Sequence, residues 1–142
     1  MGEDYIDKVM KSLENEDNEG IMQWTNAKIR DQTNNILQKL QLDRENLREL
    51  NSKLKGYRYV DELVDLQFGR FLRWIPLSDP ERIRLTNGAR VCDIKILNEG
   101  VHIVCKNNVS RFMQLKLDEN LVFQKLTEQE KIILKTLDYL KD

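Results

Sequence analysis

One histidine, His102, and two cysteines, Cys92 and Cys105, are all that this chain has of the two residue types that most often bind transition metals. Two thiols 13 positions apart, with no CxxC partner, do not make a structural zinc site. A Ser/His/Asp or Cys/His device would have to use His102, and no nucleophile motif accompanies it. GxGxxG, a Walker loop, HExxH and a paired-carboxylate arrangement are all missing. The expectation is a non-enzymatic chain with no cofactor, no metal and no small-molecule substrate. Long apolar runs are missing too. None approaches the roughly 18 residues needed to span a bilayer, and the acidic N-terminus lacks the apolar core of a signal peptide. A soluble, intracellular and cytoplasmic protein without a membrane partner is expected.

What is present is charge, unevenly placed. Charged residues make up 33% of the 142-residue chain and hydrophobic ones 40%, a balance that fits a modest core with solvated helices. The net charge of −1 conceals −5 over residues 1–23 and +5 over residues 67–117. Five arginines fall between Gly69 and Ile96. Such asymmetry concerns partners rather than fold.

Residues 1–19 read as a short acidic amphipathic helix, because Ile6, Val9, Met10 and Leu13 recur at helical spacing. Residues 21–56 read as a long heptad-patterned helix, with Leu40, Leu47 and Leu54 at a and Met22, Ile29, Ile36, Leu50 and Tyr57 at d. About 30 helical residues would extend roughly 45 Å, more than a small domain can cover on all sides. Either the helix bends near Asp43 (a second N-cap in "QLDRENL") and folds back, or it pairs through residues 22–57 with another copy or another protein. Ile29, Ile36, Leu40, Leu47, Leu50 and Leu54 would carry that association.

From residue 57 to 142 the pattern predicts a small antiparallel β-barrel, an SH3-like meander, with a C-terminal helix. Strands are expected near 70–76, 81–86, 89–97, 101–106, 111–117 and 121–126. Asn87-Gly88 is the strongest hairpin signal, since type I′ turns need positive φ at both positions. Thr127 and Glu130 form a capping box ahead of the stripe Ile133, Leu134, Leu137 and Leu140. The fold class is therefore α+β.

If the turns set the register, one sheet face carries Ile83, Cys92, Ile94, Ile96, Val101, Ile103 and Cys105 as core. Cys92 and Cys105 become cross-strand neighbours, either as buried free thiols or as a disulfide or redox pair. The other face carries Arg82, Arg84, Val91, Asp93, Lys95, His102, Val104 and Lys106, continued by Phe112, Gln114 and Lys116. Arg82, Arg84, Lys95, His102, Lys106, Phe112 and Lys116 then form a basic surface with one aromatic. An ordinary solvated face, an RNA or DNA site and a site for an acidic protein surface all fit that pattern. No carboxylate partner or pocket is evident that would make His102 a general base.

At "GYRYVDELVDLQFGRFLRWIPL", "RVCDIKI" and "LVFQKLTEQEKIIL" the chain resembles small uncharacterised proteins of large double-stranded DNA viruses. The resemblance covers roughly the C-terminal two-thirds. It implies an accessory or virion-associated protein made in the host cytoplasm, placed in the viral factory or the virion. It implies no activity and no site residue.

The overall reading is an interaction or scaffold protein, with the long helix for self-association or partner binding and the basic sheet face for recognition. The alternative is a nucleic-acid-binding module.

Overall fold

Asp43 breaks the heptad segment in two. The computed structural model describes residues 2–141, with side chains for residues 4–140. In chain order the elements are α1 (Gly2–Glu14), α2 (Asn26–Gln38), α3 (Arg44–Lys53), β1 (Tyr57–Val60), β2 (Phe71–Pro76), β3 (Ala89–Leu97), β4 (Gly100–Lys106), β5 (Phe112–Lys116), β6 (Asn120–Lys125) and α4 (Glu128–Lys141). After α2, Gln41 takes a left-handed φ of 55°. The Asp43 carboxylate then accepts from the Asn46 N–H at 2.8 Å and starts α3. The expected 21–56 rod is thus two shorter helices, the bent alternative.

The chain divides into two compact units: the residues up to Gln32 with those from Leu126 onward, and Thr33–Lys125. In the first, α4 begins with the expected capping box. The Glu130 N–H donates to the Thr127 hydroxyl at 3.0 Å, and the Thr127 N–H to the Glu130 carboxylate at 2.9 Å. Ile133 and Leu134 bury with Ile21, Ile29 and Leu126, with Trp24 and Leu137 packed around them. The Gln129 side chain accepts from the amides of Asn15 and Asn18, which ties the residues after α1 to α4. Asn18 also donates to the Ser12 carbonyl, so this buried amide is satisfied. The α1 stripe departs from expectation: Ser12 is the buried residue, whereas Ile6, Met10 and Leu13 face solvent.

The second unit is built on an open six-stranded antiparallel sheet, ordered β1-β6-β2-β3-β4-β5. Of the expected small SH3-like barrel, the antiparallel sheet forms and its two edges stay open. Closure would require β1 to pair with β5, but β1 pairs with β6 and β5 with β4. One face of the sheet carries a core of its own. Val60, Leu72, Trp74, Ala89, Val91, Ile103, Cys105, Leu115 and Val122, drawn from all six strands, bury in one cluster with Leu66. On the opposite side of β1, β6 and β2, Phe123 and Ile75 bury against Leu37, Leu50 and Leu54. Tyr59 meets the Phe123 ring there, with centroids 5.6 Å apart. Ile36, Leu40 and Leu47 pack into this same cluster. The side chains expected to associate with another chain are therefore taken up by the protein's own core, Ile29 in the first unit and the others in the second.

The expected strand at 81–86 is replaced by an irregular segment, residues 77–88. Ile83 and Leu85 pack against the helix-side cluster, and Arg82 and Arg84 point away from it. Thr86 takes the place beside β2: its N–H donates to the Trp74 carbonyl at 2.9 Å, and its hydroxyl accepts from the Trp74 N–H at 3.1 Å. Asn87-Gly88 therefore does not turn a hairpin. Gly88, at φ 96°, lies where an added Cβ would run into the Leu72 carbonyl oxygen and the Phe71 ring. A glycine within a strand pattern marks a bulge or a close backbone approach, and here it marks the approach.

Candidate recognition surface

The two tight hairpins after residue 88 set the outer face of β3, β4 and β5. Ile94 pairs with Ile103, Lys95 with His102 and Ile96 with Val101, as the turn at Asn98-Glu99 predicts. Beyond the turn at 107–111, Lys106 pairs with Phe112, Val104 with Gln114 and His102 with Lys116. That turn is built by Asn107, whose side-chain carbonyl accepts from the Val109 and Arg111 N–H groups, with Ser110 at φ 61°. Because directly opposed residues share a face, three rows cross the sheet. One is Phe71–Arg90–Lys106–Phe112, the next Asp93–Val104–Gln114, and the third Lys95–His102–Lys116.

Five of the seven expected surface residues are brought together here: Lys95, His102, Lys106, Phe112 and Lys116. Arg82 and Arg84 are not, because residues 77–88 leave the sheet. Arg90 joins the face instead, opposite Lys106, and its guanidinium donates to the Gly69 carbonyl at 2.6 Å. The cause is a β-bulge between Val91 and Asp93. The extra residue returns Val91 to the core and leaves Cys92 exposed, so Val91, expected on the outer face, is buried. Cys105 faces Val91 rather than Cys92. Burial, with the nearby Cys92 sulfur second, pushes the Cys105 thiol up to about 12. Ile96, expected in the core, is exposed near the hairpin tip.

The Lys106 ammonium lies 5.5 Å from the centroid of the Phe112 ring, and Phe112 is 66% exposed. A cation held over an accessible ring offers both charge and a flat apolar plate. His102 is enclosed: Gln114 Nε2 sits 2.9 Å from its Nδ1, and the Glu99 carboxylate 3.3 Å from its Nε2, out of line for a hydrogen bond. Glu99 thus supplies the carboxylate that the sequence did not reveal. Lys116 lies 3.7 Å from Glu119. The face is basic with an acidic border at one end.

Among the described residues no cluster of three or more histidine, cysteine, aspartate or glutamate side chains could hold a metal ion. No helix among them is long and apolar enough to cross a membrane. An open depression of about 410 Å³ lies on α3 beside Arg44, Glu45 and Arg48.

Sequence reasoning missed β1 and its pairing with β6. The alternation of "YRYV", buried at Arg58 and Val60, was the available signal. Arg58 buries behind the sheet, 3.4 Å from the Asp65 carboxylate, while Gln124 donates to the Asp65 carbonyl and accepts from the Gln67 N–H. These bonds anchor residues 61–70 across the end of the core. No family model, curated protein or solved structure matches the chain.

Proposed function

We propose that this protein is a non-enzymatic interaction protein whose outer β3–β4–β5 face recognises an acidic patch on another protein. The observation that carries the reading is the row arrangement. Lys95 and Lys116 flank His102 in one row, and Arg90 and Lys106 lead to Phe112 in another, all on one exposed side. Two cationic rows, separated by the row that begins at Asp93 and bordered at one end by Glu99 and Glu119, suit discrete carboxylates better than a continuous run of phosphates. Self-association through residues 22–57 would draw on side chains that pack in the cores of this fold. Taking up the resemblance to small proteins of large double-stranded DNA viruses, we propose that the partner is one met in an infected cell.

A second reading is favoured by one contact. Phe112, exposed and next to the Lys106 ammonium, offers a ring for a nucleobase to stack on, with Lys95 and Lys116 on the same face for phosphates. The two readings separate in one experiment, a pull-down from lysate with and without nuclease, repeated with Lys95→Glu/Lys106→Glu. Partners that survive nuclease and are lost in the variant support recognition of protein. Partners lost with nuclease support nucleic acid. Partners indifferent to the variant overturn both.

A further inference from the structure

Within the first unit, α1 is mounted with its apolar stripe outward. Ile6 is 62% exposed, Met10 50% and Leu13 42%, one helical face over two turns. The helix is held by its other side. The Tyr5 hydroxyl lies 3.5 Å from the Thr136 hydroxyl, and the Lys135 ammonium 5.9 Å from the centroid of the Tyr5 ring. Ser12 is fully buried, its hydroxyl turned back onto the Lys8 carbonyl. A helix fixed by a polar contact side leaves its most apolar side for something else.

The border of the stripe says what that is. By helical geometry Asp7, whose carboxylate lies 3.2 Å from the Lys11 ammonium, and Glu14 fall along the flank opposite Tyr5 and Val9. Glu16, Asp17 and Glu19 follow directly, and the net charge over residues 1–23 is −5. A second copy laid antiparallel on the stripe would bring two acidic flanks together, and an anionic lipid surface would be repelled by the same groups. We infer that the Ile6–Met10–Leu13 face of α1 docks an amphipathic helix of a partner protein whose apolar side is bordered by lysine and arginine. Three anchors at i, i+4 and i+7 are the pattern by which one helix lies along another. This surface is independent of the basic sheet face, so the protein would join a basic partner at one unit to an acidic one at the other.

The test uses the full chain and a synthetic helical peptide with leucine along one face and lysine along the borders. Its controls are a permuted peptide of the same composition and a version with glutamate for lysine. Fluorescence anisotropy should show the amphipathic basic peptide binding, weakening with salt, and losing roughly tenfold or more in Met10→Asp/Leu13→Asp. Lys106→Glu should leave that binding unchanged. Equal binding of the permuted peptide would overturn the inference by reducing it to unspecific attraction. A dimer in light scattering that the double variant dissolves would assign the stripe to a second copy. A large fall in melting temperature in the double variant would show the stripe to be covered within the chain itself.

Discussion

Val91, not Cys92, stands opposite Cys105 across the β3–β4 ladder, and the displaced Cys92 is left in a bulge at the surface. The two thiols therefore differ in chemistry despite being near neighbours. Cys92 is open to reagents, while burial holds Cys105 protonated, with its thiol pushed up to about 12 from an ordinary 9.0. Alkylation of the native protein near pH 8, read by intact mass, is expected to stop at one label, with the second appearing only in denaturant. Two labels added at equal rates would contradict the bulge.

The same thiol gives a signed dependence on pH. In the unfolded chain Cys105 ionises near its ordinary value, and in the fold it stays protonated until about 12. The folded state thus binds more protons in that window, so stability falls as pH rises from about 9 towards 12. Burial also raises Tyr57 and Tyr59, which act in the same direction. In Cys105→Ala, the alkaline part of this slope should be shallower when chemical denaturation is followed at several pH values.

The parts of this fold that the sequence makes legible are those set by neighbours along the chain. Asp43 as a cap, Thr127 with Glu130, the pairing of Lys95 with His102 and that of Lys106 with Phe112 each follow from a turn or cap a few residues away. The misreadings come from distant competition. Nothing near Tyr57 announces that it pairs with Lys125, and that pairing places β6 between β1 and β2. Asn87-Gly88 has the chemistry of a hairpin turn, yet Thr86 finds better partners on Trp74 and the hairpin is lost. The expected face consequently forms where β4 and β5 define it, and Arg82 and Arg84 lie outside the sheet. A one-residue bulge, which periodicity cannot show, exchanged Val91 for Arg90.

Binding at the sheet face should follow the rows rather than the net charge. Lys95→Glu and Lys106→Glu reverse charges within the face, whereas Arg82→Glu and Arg84→Glu lie outside the sheet. Retention on an anionic column at low salt is expected to drop sharply for the first pair and little for the second. Phe112→Ala separates the two partner classes. Loss of single-stranded nucleic-acid affinity by roughly 1–3 kcal/mol would mark a stacking site.

The division of the heptad segment predicts a modest, local cost. Asp43→Ala removes the side-chain acceptor of the Asn46 N–H and should lower stability by about 1 kcal/mol. Phe123→Ala, which empties the centre of the helix-side cluster, should cost roughly 3–5 kcal/mol. Denaturant midpoints compare the two directly. If residues 21–56 formed one continuous rod, Asp43→Ala would instead be neutral or stabilising.

Gly88 and Asn87 provide the sharpest test of the strand arrangement, because the two possible structures predict opposite roles for the pair. In a type I′ hairpin both residues need positive φ, and replacing Asn87 would strain the turn. In the observed arrangement only Gly88 has positive φ, and its missing Cβ lets the backbone approach the Leu72 carbonyl and the Phe71 ring. Those neighbours are backbone and a packed ring, so they cannot swing aside. Gly88→Ala is therefore expected to destabilise by about 2 kcal/mol or more, and Asn87→Ala by well under 1 kcal/mol. Thr86→Val keeps the shape but removes the hydroxyl that accepts from the Trp74 N–H, leaving a part-buried donor unmatched at a cost of about 1–3 kcal/mol. Comparable losses at Asn87 and Gly88, with Thr86→Val silent, would restore the hairpin and return Arg82 and Arg84 to the recognition face.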